Sequence, residues 1–160
     1  MKLIQSQNIY ECMHLKLLGP EPLTNGFNIN YISNYSFNKK TKIKDLLMNQ
    51  KFIAGLGNIY CNEILFLSKI NPERIARKVT DQELISIVKF TKKILKNSIL
   101  RGGSSIKDFA GTEGEIGNFQ EKFNVYNREK RKCKTKKCLA RIKKIYSSGR
   151  SSFFCPRCQK

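Results

Sequence analysis

Four cysteines crowd the end of the chain at a spacing of Cys133-x4-Cys138-x16-Cys155-x2-Cys158. Two thiol pairs separated by a hairpin-length insert form the donor set of a tetrahedral Zn²⁺ site. No other feature restricts the fold as much. Residues 128–160 hold 13 basic groups against Glu129 alone, so this segment is too short and too charged to bury much core. A bound metal would supply its folding free energy. A closed four-thiolate set leaves no coordination position for a catalytic water, and one structural Zn²⁺ is expected. The surrounding cations favour the thiolate form. Two disulfides are the competing use of the same residues. A cytosolic compartment disfavours them, and the opening MKLIQSQNIYEC, with no long apolar stretch and no small-residue cleavage site, points to that compartment. Cys12 and Cys61 lie in apolar surroundings and read as small buried hydrophobes. His14 has no partner at ligand spacing and reads as a surface or packing residue.

The basic excess extends well beyond the tail. Of 160 residues, 31 are Lys or Arg and 12 are Asp or Glu, a formal charge of +19. Residues 1–38 hold two of each sign, so the remaining 29 basic and 10 acidic groups all lie in 39–160. Four thiolates and one Zn²⁺ lower the total only to about +17. A field of this strength suits a polyanion, with nucleic acid first and a membrane surface second. No apolar run approaches the roughly 18 residues that span a bilayer. With 40% hydrophobic residues the chain can build a modest core.

The pattern of apolar residues predicts mostly helices. Phe27, Ile29, Tyr31, Ile32 and Tyr35 suggest a short one. Thr41 stands as an N-cap before Ile43, Leu46, Leu47 and Gln50, and Ala54-Gly55-Leu56-Gly57-Asn58 breaks that helix. Ile59–Leu67 resumes, with Asn58 as N-cap, and Asn71-Pro72 stops it. Thr80-Asp81-Gln82-Glu83 is a capping box ahead of Leu84, Ile87, Val88, Thr91, Leu95 and Ile99. Residues 103–120 form a Gly- and Ser-rich loop, long enough to suggest function. Strands at Arg141–Tyr146 and Arg150–Phe154 around Ser147-Ser148-Gly149 complete a hairpin inside the cysteine cluster. The predicted fold is mainly α, a four- or five-helix domain followed by a small C-terminal zinc-binding β-hairpin.

The Gly55-Leu56-Gly57-Asn58 turn allows two readings. Glycines let a helix connection pack tightly, and nothing more is then required of them. Alternatively, the unpaired first amides of the next helix, with Asn58 adding a donor, make a phosphate seat near Lys39, Lys40, Lys42, Lys44 and Lys51.

In combination these segments resemble a known family. Gln50 to Phe66 (QKFIAGLGNIYCNEILF) is similar to the helix–two-turn–helix of formamidopyrimidine-DNA glycosylases. So are Leu18-Gly19-Pro20-Glu21-Pro22-Leu23, Arg101-Gly102-Gly103-Ser104-Ser105-Ile106-Lys107-Asp108-Phe109 and Val125-Tyr126. Gly149 to Lys160 (GRSSFFCPRCQK) resembles the end of that family's zinc finger. The motifs run in the family's order and cover the chain from about residue 8 onward.

The resemblance implies the DNA-binding half of a base-excision-repair enzyme that removes oxidised purines and nicks the resulting abasic site, after flipping the damaged nucleotide from the duplex. The implied partner is damaged or abasic double-stranded DNA, held by a cytoplasmic, nucleoid-associated bacterial monomer. Carried over by motif, Asn58 would hold a phosphate beside the lesion, Lys39 would stand at a DNA-contacting basic position, Tyr126 would make a further backbone contact, and Lys107 would lie in the loop that closes over the flipped base. Arg150 would clamp phosphates. Family convention also makes that position the proton donor of δ-elimination, although a guanidinium suits a bidentate clamp far better than proton donation. The implied organisation is residues 1–23 as the end of an N-terminal domain and linker, 24–123 as the helix–two-turn–helix domain, and 124–160 as the zinc finger. Family members begin Met-Pro-Glu, with the proline amine as nucleophile and the glutamate as acid. This sequence begins Met1-Lys2-Leu3. The expectation is therefore a portion that binds without catalysis, with a separate chain as one carrier for the missing half. The first zinc knuckle also has x4 where the family usually has x2. The alternatives are a stand-alone zinc-dependent nucleic-acid-binding protein with no repair role, or a decayed relic that never folds because residues 1–23 have lost the sheet they belonged to.

Overall fold

The computed structural model describes residues 13–103 and 123–160. Cys12, Lys107 and nearly all of the predicted 103–120 loop lie outside the described residues. Helix α1 is a single turn, Met13–Lys16, and α2 spans Ile29–Ser36. The Asn28 side chain starts α2 by accepting the Tyr31 N–H at 3.0 Å. Helix α3 is Ile43–Met48, shorter than its apolar pattern suggests, and its N-cap is Lys42 rather than Thr41. The backbone explains the shift. Lys42 bridges Ile75, the Thr41 carbonyl accepts the Ala76 N–H, and the Ile43 N–H donates to Arg74. A neighbouring segment thus satisfies groups that a capping side chain would otherwise serve.

Helix α4, Asn58–Leu67, starts one residue earlier than expected. Gly57 takes the extended cap conformation without any side-chain bond, so Asn58 is the first helical residue and not the cap. A 3-10 turn at Ala76–Lys78 precedes α5, Asp81–Ile99. The Thr80–Glu83 capping box forms as its sequence dictates, and the Glu83 carboxylate also takes a fork of bonds from Arg74 at 2.6 and 2.8 Å. Antiparallel strands β1, Lys143–Ser147, and β2, Arg150–Phe154, close the chain. Ser147 pairs with Arg150, so the turn is the dipeptide Ser148-Gly149 rather than three residues. Both have positive φ, 52° and 74°, as a two-residue turn that follows the strand twist requires.

Two apolar clusters result. The larger gathers buried residues from Phe27, just before α2, through α5, with Phe123 beyond it, and includes Leu47, Phe52, Ile64 and Ile87. The smaller lies under the hairpin and comprises Phe66, Val125, Cys133, Ile142, Phe153 and Cys155. Leu67 and Tyr126 pack against both. Among the described residues, no helix is long and apolar enough to cross a membrane.

The segment leading into the helices is seated on the α3–α4 turn. The Gly19 N–H donates to the Gln50 carbonyl at 2.8 Å, and the Ala54 N–H donates to Pro20 at 3.2 Å. A Cβ on residue 19 would stand 2.3 Å from the Phe52 carbonyl oxygen, so only glycine fits.

Candidate metal centre and nucleic-acid interface

The hairpin and the loops around it bring Cys133, Cys138, Cys155 and Cys158 together, with all four sulfurs within 4.8 Å of one another. Three of the separations are 3.5, 3.7 and 3.8 Å. A tetrahedral ion with ~2.3 Å bonds to sulfur sets its ligands ~3.8 Å apart, so this donor set fits zinc. The x4 knuckle is accommodated by a loop in which the Thr135 N–H donates to Cys133 Sγ at 3.4 Å. Burial pushes Cys155 up to about 12 and raises Cys158. Burial also works to raise Cys133, but its bonds from Thr135 hold it below its ordinary value. A bound cation would hold all four as thiolates, so loading the site releases protons.

The finger is fixed to the helices at both ends. At the tip, Lys44 is buried and its Nζ donates to the Ser151 carbonyl at 2.9 Å and to Ser152 Oγ at 2.6 Å. Burial lowers Lys44 to about 8, with Cys61 and Asp45 acting in the opposite direction. Cys61 is the small buried residue its context suggests, and burial pushes its thiol up to about 12. At the base, Gln159 Nε2 donates to the Ile70 carbonyl at 2.8 Å, while its Oε1 accepts the Cys155 N–H at 2.8 Å. Between these points, the buried Glu63 carboxylate accepts the backbone N–H groups of Asn124, Val125 and Tyr126 at 2.8–2.9 Å. Asn62 Oδ1 accepts the Phe153 N–H at 2.7 Å, and Asn62 Nδ2 donates to the Asn58 carbonyl at 2.7 Å.

These bonds leave an open polar cleft between the start of α4 and one face of the hairpin. Asn58, Tyr126 and Arg150 all line it, together with Asn127, Lys144, Tyr146 and Phe153. The unpaired N–H groups at the start of a helix favour anions, and here they share the cleft with Lys144 and Arg150. Gln50 braces the glycine turn beside it. Its Nε2 donates to Leu56 at 2.9 Å and its Oε1 accepts the Gly55 N–H at 2.7 Å, where φ is 77°. Lys39 does not line this cleft. It follows α2, with its ammonium 4.8 Å from the centre of the Tyr35 ring. Lys144, Asn127 and Tyr146 are cleft residues that motif reading missed. Strand alternation was the available signal, because Lys144 and Tyr146 pair with Phe153 and Ser151 and share one face.

A glycine-turned helix pair with a four-thiolate finger locked beside it defines an H2TH and zinc-finger protein, and comparison with known proteins agrees. The profile described as the formamidopyrimidine-DNA glycosylase H2TH domain matches residues 18–110, and the zinc finger found in FPG and IleRS matches residues 132–160. The chain belongs to the formamidopyrimidine-DNA glycosylase family. It is 42% identical over 146 residues to the formamidopyrimidine-DNA glycosylase of Roseobacter denitrificans, covering 91% of this chain and 52% of that protein. It is 41% identical over 160 residues to the Dinoroseobacter shibae protein of the same name, covering all of this chain and 56% of the relative. The crystal structure of MutM (Fpg) from Thermus thermophilus superposes with a TM-score of 0.87 at 33% identity, over 94% of this chain and 57% of that one. The Lactococcus lactis Fpg complex with abasic-site DNA gives 0.88 at 34% identity, over 98% and 57%. The chain thus spans little more than half the length of these relatives. The matched finger and the sulfur geometry together fit one structural zinc.

Proposed function

We propose that these 160 residues are the duplex-gripping portion of a base-excision-repair glycosylase and abasic-site lyase acting on oxidised purines. The observation that carries this reading is the convergence of Asn58, Tyr126 and Arg150 on one cationic cleft between α4 and the hairpin. In this reading the α4 N-terminus and Asn58 seat one phosphate, and Arg150 clamps another through its planar fork. Tyr126 adds a backbone contact and Lys144 contributes charge. Lys39 extends the track beyond the cleft. We assign grip rather than chemistry to Arg150, whose family role as proton donor suits a guanidinium poorly.

The fold class is read as mainly α, with residues 24–123 as the helical DNA-binding unit, 124–160 as the finger and 1–23 as the connection to an N-terminal domain. In this reading that domain holds the nucleophile and the acid. The location is read as cytoplasmic.

The test is titration of the zinc-loaded chain against fluorescent duplexes, with and without an abasic-site analogue, across a salt series. Affinity is expected to fall steeply as salt rises and to be higher for the abasic duplex. Asn58→Ala and Arg150→Ala are each expected to lose about 1–3 kcal/mol. Equal affinity for the two duplexes would replace this reading with that of a general nucleic-acid binder. Indifference to both variants would show that the docking face is wrong.

A further inference from the structure

Resting on the interface just described, we propose that Asp45 and Ser148 are positioning residues that hold the hairpin tip against α3 so that Arg150 is presented to the cleft. A hairpin tip is ordinarily the loosest part of a small module, and an arginine on it loses considerable rotamer freedom on binding. Here both flanks of Arg150 are tied to a single helix and the residue that caps it. The Ser148 hydroxyl donates to Asp45 Oδ2 at 2.7 Å. Lys42 Nζ donates to Ser147 Oγ at 2.7 Å while pairing with Glu73. On the other flank, Lys44 holds Ser151 and Ser152.

Charge adds a second argument. Asp45 sits with Ser148, Met48 and Asn49 in a small cleft that Arg150 also lines. A carboxylate beside a phosphate clamp lowers affinity for a polyanion unless it does something that offsets the repulsion. Asp45 forms no ion pair with Arg150 among the described residues. Its Oδ2 accepts from Ser148, and no ion pair among the described residues occupies the Arg150 guanidinium. The carboxylate thus acts on the turn rather than on the clamp.

A double-mutant cycle on duplex binding separates a role exerted through Arg150 from simple support of the fold. S148A is expected to weaken binding of the zinc-loaded chain about three- to tenfold, with its melting temperature nearly unchanged. In the R150A background, S148A is expected to change nothing further. D45N keeps an acceptor for Ser148 and removes a negative charge, so it is expected to bind as tightly as the parent or more tightly. An equal loss from S148A in both backgrounds would overturn the proposal, as would no loss in the parent. Should alanine disturb the turn, S148G suits the positive φ and serves as the second variant. If R150A itself binds like the parent, the interface reading falls and this proposal falls with it. A silent S148A beside a weakened R150A overturns the tether alone.

Discussion

The two apolar clusters differ in size and in the source of their stability. The helical cluster holds 18 buried residues among those described, and the finger cluster holds six, two of which, Cys133 and Cys155, belong to the four-cysteine set that fits zinc. The first is large enough to fold by excluding water. The second needs an ion to bring its thiols together and side chains from the first to hold it in place. A small module can therefore be rigid without a core of its own when a metal closes it and a larger neighbour supplies fixed hydrogen-bond partners.

The largest effect that would break this comparison is metal removal. Structural zinc in finger peptides contributes roughly 10–16 kcal/mol of apparent binding free energy. Chelation is expected to abolish hydrogen-exchange protection in residues 124–158 and leave it intact in α4 and α5. Retention of protected hairpin amides without metal would show that the finger core suffices. The next effect belongs to the helical cluster. Phe52 is fully buried, stacked on Tyr31 and edge-on to Phe27. Phe52→Ala is expected to cost about 3–5 kcal/mol in chemical denaturation, while zinc stoichiometry stays at one.

Glu63 joins the two units. Glu63→Gln replaces a buried carboxylate that accepts from three backbone N–H groups and from Asn124 Nδ2 with a group that carries two donors of its own. It is expected to destabilise the chain by about 2 kcal/mol and to separate the melting of finger and helices into two transitions. A single unchanged transition would show that the other joints suffice.

The smallest effect concerns pH. Burial holds Lys44 at about 8, below its ordinary value of 10.5. The unfolded chain therefore binds the proton more tightly, and this residue makes stability rise as pH climbs from below 8 towards 10.5. Relative to Lys44→Met, the zinc-loaded parent is expected to gain melting temperature between pH 7 and pH 9.5. A difference that does not change with pH would mean that Lys44 titrates normally.

The sequence made the zinc ligands, the α5 capping box and the glycine turn legible, because each is a local pattern with a local physical cause. Helix starts were less so. Thr41 and Asn58 have capping side chains, yet Lys42 and Gly57 occupy the caps, since Ile75 and Ala76 pair with the backbone before α3 and Gly57 accepts an extended conformation. The joints were invisible for a related reason. Nothing near Glu63 in the chain announces that it will meet Asn124, 61 residues away, or that Lys44 will meet Ser152 across 108. Such pairs arise only once two units are packed, and a single sequence records neither the distance nor the direction of that packing.

The close seat of Gly19 on the Phe52 carbonyl has a mechanical consequence. With no side chain between them to act as a cushion, a displacement of the leading segment transfers to the turn that Gln50 braces, and through it to the first residues of α4. The Ala54–Pro20 bond runs beside that contact, so the glycine turn before α4 and the leading segment form one stiff joint.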